Sequence, residues 1–161
     1  MEMVIFVVET MEHEALSKSL LLLFGLFTAQ FFVGMALNLL VPTPMTNFPN
    51  NASSFTDALV YAVVGGNLLL TGHFFIDMGI IAVGIANLAL VIHKSNLYKA
   101  LSVAGFVSVL SAFINGVRFV ASNFTIDEIS YEMAGGFIVA FILYFVMAMP
   151  MYRDVAAKAK S

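Results

Sequence analysis

Apolar residues run along this chain in four long blocks, at 19–41, 72–92, 97–120 and 129–149, separated by short polar stretches. Each block is long enough, as a helix, to cross a hydrocarbon layer of about 30 Å. The pattern predicts an all-α, integral membrane, up-down-up-down four-helix bundle forming a single domain over 1–161. Residues 1–18 read as an amphipathic helix running into the first block. The first connection, 42–71, reads as an outer loop carrying a short interfacial helix at 57–70. Val41-Pro42-Thr43-Pro44 is expected to stop the first helix, because proline removes a backbone donor. Ser54-Phe55-Thr56-Asp57 has the form of a capping box with Asp in the Glu position. Gly65-Gly66 and Thr71-Gly72 are expected breaks before the second block. Thr125-Ile126-Asp127-Glu128 reads as a capping box for the fourth block, and Pro150 as its end. The tail, 150–161, is polar and mildly basic.

Composition supports the membrane assignment. Hydrophobic residues make up 61% of the chain and charged residues 11%. Soluble domains carry about a quarter charged residues. With a net charge of −3 and no basic patch, a nucleic-acid partner is excluded. There is no cysteine, so disulfides, thiolate metal sites and iron–sulfur clusters are excluded too. The N-terminus lacks the features of a cleaved secretory signal. The first helix is expected to serve as its own uncleaved signal.

Charge also predicts orientation. Of seven Lys and Arg, six (Lys18, Lys94, Lys99, Arg153, Lys158 and Lys160) fall on the side that alternation assigns to both termini and the second connection. The positive-inside rule then puts both termini in the cytoplasm, of a protein in the plasma membrane. Arg118 is the exception. The sequons at Asn51 and Asn123 fall on the outer side, where a glycosylating host would modify them.

Polar residues inside the blocks are the candidates for function, because charge in a bilayer is costly. His73 and Asp77 lie one turn apart on the second block, with Gly84 and Asn87 on the same face. Phe74, Met78, Ile81, Ile85 and Leu88 fall on another face, assigned to lipid. The third block has a stripe of Ala104, Ser108, Ser111, Asn115, Arg118 and Ser122. The first has Gln30, Gly34 and Asn38 at i, i+4 and i+8, and the fourth has Glu132 and Gly136. At about 1.5 Å per residue, Asn38, His73, Asp77, Asn115, Arg118 and Glu132 share the outer third of the membrane. They form a polar cluster near the outer mouth, where Arg118 is expected to pair with Asp77 or Glu132. The structural alternative is a plain ion-pair layer. Gly65, Gly72, Gly79 and Ala86 recur every seven residues, a spacing that lets a second copy or another membrane helix approach.

Three functions compete. A redox protein linked to haem b or quinone would centre on His73, with Met133 as the second haem ligand. His73 and His93 are twenty residues apart on one helix, about 30 Å, and cannot share an iron. A small transporter or proton-coupled carrier would use Asp77, Arg118 and Glu132. A non-catalytic accessory subunit would use the small-residue stripe. No phosphate loop, zinc-protease motif or nucleophile elbow is present.

The run Gln30-Phe31-Phe32-Val33-Gly34, continuing to Val41-Pro42-Thr43-Pro44, resembles the first helix and outer loop of the haem A synthase family. Thr71-Gly72-His73 stands where that family has a histidine early in its second helix. The resemblance covers about the first half of the chain. It implies a four-helix half-unit with a haem site near the outer side and His73 as an axial ligand. The family's second histidine, on its fourth helix, has no counterpart here, so haem A synthesis itself is not expected. The chain is also similar to small four-helix membrane proteins of unknown function.

Overall fold

A computed structural model describes residues 2–42, 54–65 and 67–158, with side chains over 13–42, 54–65 and 67–150. The described chain is all-helical. Helix α1 spans Glu2–Leu40, α2 Phe55–Val60, α3 Leu68–Leu90, α4 Asn96–Ala121 and α5 Asp127–Lys158. Four stretches, His13–Leu40, Leu68–Leu90, Asn96–Ala121 and Asp127–Pro150, are long and apolar enough to cross a membrane. The proline pair and the Asn51 sequon fall mostly or wholly outside the described residues.

The first connection differs from the 57–70 helix read from the sequence. Ser54 does cap α2: its hydroxyl accepts from the Asp57 N–H at 3.1 Å and donates to the Asp57 carboxylate at 2.5 Å. The helix then widens into one π-turn over Tyr61–Gly65 and stops. Asn67 starts α3 by accepting from the Leu70 N–H at 2.9 Å. The chain thus breaks before Asn67, and Thr71-Gly72 lies inside α3. The Thr71 hydroxyl donates to the Ala62 carbonyl at 3.1 Å, tying the start of α3 to the π-turn. Thr71 therefore latches two helices instead of ending one.

Two other boundaries also move. Pro150 lies inside α5, which continues to Lys158. A proline withholds its own N–H, so one hydrogen bond is lost and the remaining ladder carries the helix past it. Thr125 does not cap α5; its hydroxyl turns back to the Ser122 carbonyl at 2.6 Å. This tight corner sets Asn123 and Phe124 at φ of 51° and 61°. Asn tolerates that left-handed conformation, whereas a Phe there is strained. The Phe124 N–H donates to the Phe119 carbonyl at 3.0 Å, and the two rings meet edge-to-face at 5.3 Å.

The long helices pack mainly as two pairs, α1 with α3 and α4 with α5, with α3 joining α4; α1 and α5 meet only sparsely. One core cluster includes Leu16, Leu20, Leu23, Phe27, Ile80 and Tyr144, toward the α3–α4 turn. The other joins Leu37 and Leu70 to Ala58 and Tyr61 of the α2 segment and to Val117 and Val120. Large apolar side chains such as Leu21, Phe32 and Ile85 face outward, as lipid contact requires.

Between helices in lipid, close approach of small residues replaces the hydrophobic drive. A Cβ on Gly136 would lie 3.0 Å from the Ser108 carbonyl oxygen and 3.1 Å from the Ala112 nitrogen, so α5 rests on α4 backbone against backbone. Gly84 and Gly105 make room for the rings of Phe106 and Tyr144. The small residues of the seven-residue stripe have different surroundings within the chain. Gly79 faces Leu26 of α1 at 3.6 Å, Gly72 has nothing within 4 Å, and Ala86 is exposed.

Two face assignments are corrected. Phe74 turns inward onto Phe113, with ring centroids 6.1 Å apart, and Ile81 packs on the first core cluster. On α4 the buried set is Ser102, Gly105, Val109, Asn115, Val117 and Val120, while Ala104 and Ser111 are exposed. Serine is an ambiguous guide to the inner face. Its hydroxyl can return to its own helix, as Ser108 does to the Ala104 carbonyl at 2.9 Å.

Candidate functional site

Helices α1 and α3 build the polar site between them. Gln30, Gly34 and Asn38 lie along one side of α1, and His73 and Asp77 one turn apart on α3. The Gln30 Nε2 donates to Asp77 Oδ1 at 2.5 Å. Gln30 is only 4% exposed, so this bond is made away from bulk water. The His73 ring lies against Gly34, where a Cβ would stand 3.2 Å from its Cε1. Glycine here lets the imidazole come close to the α1 backbone. The Gln30 Oε1 and His73 Nδ1 are buried without a hydrogen-bond partner among the described residues.

Two cavities flank this group, and His73, Asp77, Gly34, Asn38 and Met133 line both. The first, about 100 Å³, is walled by Phe74, Phe113, Phe119 and Phe124. The second, about 190 Å³, opens at the sparse α1–α5 contact and is lined by Gln30, Phe31, Met35 and Phe137. Among the described residues, no Lys or Arg lines either cavity.

The six residues read as one layer divide into two groups. Asn38, His73 and Asp77 belong to the cavities. Asn115, Arg118 and Glu132 belong to the α4–α5 pair. Arg118 donates to Asn115 Oδ1 at 2.8 Å and lies 3.6 Å from the Glu132 carboxylate. Of the two partners expected for Arg118, Glu132 is the one it meets. Asp77 is held by Gln30, because α3 turns this face to α1 while Arg118 faces α5. Both side chains of the ion pair are more than half exposed, and such pairs contribute about 0–1 kcal/mol in water.

Haem can be tested for fit at His73 and Met133. Cofactor-sized ligands take sites of about 300–1,000 Å³. The cavities lined by both residues are about 100 and 190 Å³. Neither cavity, taken by itself, is large enough for a haem. Among the described residues, no three His, Asp or Glu side chains gather to hold a metal ion.

A second polar group, nearer the α3–α4 turn, was only partly legible. The Asn87 side-chain amide donates to the Ser19 hydroxyl at 2.9 Å and to the Val83 carbonyl at 3.1 Å. Asn87 Oδ1, the Ser102 hydroxyl and the Tyr144 hydroxyl are fully buried without partners. Asn87 was visible from its register with His73. Ser102 and Tyr144 were not, although Gly84 and Gly105 together are the signal for a large ring crossing from another helix. A buried donor without a partner costs about 1–3 kcal/mol. Tyr144→Phe is therefore expected to leave thermal stability unchanged or raise it by up to about 1 kcal/mol. A drop of that size in a melt of detergent-solubilised protein would contradict the unpaired hydroxyl.

The comparisons leave the site to be read from its geometry. No protein-family model, curated protein or solved structure matches the chain, so its resemblance to the haem A synthase family rests on the residues quoted for it.

Proposed function

We propose that this protein is a small membrane carrier that binds a cationic solute at Asp77, with the carboxylate exchanging that cation for a proton. The observation that carries the reading is the isolation of Asp77. It lines both cavities, its bonded partner is the neutral Gln30, and among the described residues no Lys or Arg lines either space. A carboxylate inside a helix bundle needs a positive charge or a proton to be tolerated. A carrier supplies each of these in turn. In this reading the four spans run up-down-up-down with both termini cytoplasmic. The α2 segment and the Asp77 cavities then lie toward the outer face of the plasma membrane.

Proteoliposomes with an imposed pH gradient test this reading. Acid-inside vesicles should accumulate tetramethylammonium or a bulkier organic cation with matching proton release. A gradient that decays at the rate of empty liposomes, whichever cation is supplied, would sink it.

The redox reading keeps one supporting observation, the unpartnered His73 Nδ1 beside Met133. A haem version requires α1 and α5 to part, while a quinone ring asks for less space. Purified protein is expected to show no Soret band, and a haem-type absorbance spectrum would move the assignment to His73. Self-association is a separate proposal, since among the described residues nothing lies within 4 Å of a Cβ on Gly72, and Ala86 is exposed.

A further inference from the structure

The cavity lined by Asp77 adjoins a second space on the outside of the bundle. It shares Phe31 and Phe137 with a crevice of about 370 Å³ that follows the α1–α5 seam, where Thr28, Phe32 and Ile138 are further walls. Phe31, Phe32 and Ile138 are 55%, 64% and 55% exposed. They lie on the outward, apolar surface that a bilayer covers. Along the seam Phe24 meets Phe141 at 5.4 Å and Phe27 meets Phe137 at 5.2 Å, both edge-to-face. A phenylalanine-walled crevice on the outward face thus stands next to the cavity that Asp77 lines, with Phe31 and Phe137 common to both.

Charge decides what fits this groove. The titratable groups facing the cavity are Asp77 and His73, both from α3. Helix α1 contributes the neutral Gln30 and Asn38, α4 contributes Ala112 and Phe113, and α5 contributes Met133. Arg118 is engaged by Asn115 and Glu132, and Asp57 of α2 by Ser54. An anion would be repelled by Asp77. A neutral apolar molecule would leave the carboxylate without a counter-charge. A small hydrated cation would gain nothing from the aromatic walls. An organic cation carrying rings or alkyl groups uses both ends, because its charge meets Asp77 and the phenylalanine faces attract cations as well as apolar surface.

We propose that the seam and Asp77 together bind a lipophilic organic cation, which reaches the site sideways from the bilayer. This rests on the reading of Asp77 as a cation site and names the class of cation.

Saturable binding to protein in nanodiscs, corrected for empty nanodiscs, tests the proposal. The probes are tetraphenylphosphonium, tetramethylammonium and the neutral triphenylphosphine oxide. Tetraphenylphosphonium should bind at least about tenfold tighter than either other probe. Ile138→Trp narrows the groove from its lipid-facing wall and should weaken that binding by about tenfold, and Asp77→Asn should weaken it by about a hundredfold. Thr28→Trp repeats the test from the α1 wall if the Ile138 variant melts early. Equal binding of tetramethylammonium, unmoved by either Trp variant, overturns the seam but leaves Asp77 as a cation site. Equal binding of the neutral oxide, unmoved by Asp77→Asn, overturns the choice of a cation. No saturable binding of either cation overturns the carrier reading as well.

Discussion

Asp77→Asn is expected to weaken cation binding about a hundredfold and to abolish proton exchange while leaving the fold at least as stable as before. A unit charge about 4 Å away, at an effective dielectric of about 20, contributes about 4 kcal/mol. Desolvating the cation takes back part of this, so a loss of affinity of about a hundredfold is expected. The fold does not share the loss. Asn keeps the oxygen that accepts from Gln30 Nε2. Its new amide also brings a donor close to Gln30 Oε1, which is buried without a partner. Two primary amides can pair reciprocally where an amide and a carboxylate cannot. The variant should therefore melt at or above the wild-type temperature, an instance of a site kept functional at some cost in stability. Titration calorimetry and a thermal melt on the same sample check both halves. Wild-type affinity in the variant would remove Asp77 from the mechanism. A collapse of the melting temperature would show that the carboxylate is structural.

The second large effect is expected at Gly136. Valine there would drive its Cβ into the backbone of α4, where the Ser108 oxygen and Ala112 nitrogen stand 3.0 and 3.1 Å away. Backbone atoms cannot rotate aside as a side chain can, so the two helices must separate. Overpacking of this kind costs about 1–3 kcal/mol. At about 2–4 °C per kcal/mol for a chain of this size, the melting temperature should fall by roughly 5 °C. Its neighbour supplies the control, since a Cβ on Gly135 has nothing within 4 Å. Gly135→Val should change the melting temperature little. If the two variants melt alike, the close α4–α5 crossing is wrong.

The sequence showed the spans and half of the site. Span length and apolar content are properties of each helix alone, so the four blocks could be read without knowing what they touch. His73 with Asp77, and Gln30 with Asn38, were legible because polar groups at helical spacing stand out against an apolar background. What each face touches was much less legible. In lipid a helix is apolar on its outer side as well as its inner side, so periodicity hardly separates Phe74, which packs inward, from Ile85, which does not. The partner of Arg118 depended on which helices pair, and the packing of Tyr144 on a ring reaching from α5 to glycines on α3 and α4. Neither is encoded in the spacing along one helix. Pro150 misled for a simpler reason: it withholds one hydrogen bond, which is not enough to end a helix.

The grouping of the helices into two pairs bears on how the chain is made. Both members of the Gln30–Asp77 bond belong to the first pair, α1 and α3. Chains emerge from the ribosome N-terminus first, at about 5–20 residues per second. The first pair is therefore synthesised several seconds before α5 is complete. During that interval the amide of Gln30 can already shield the carboxylate of Asp77 from lipid. On this view the bond is an early chaperone-like contact for a charge that must enter the membrane ahead of the helix that later walls it in.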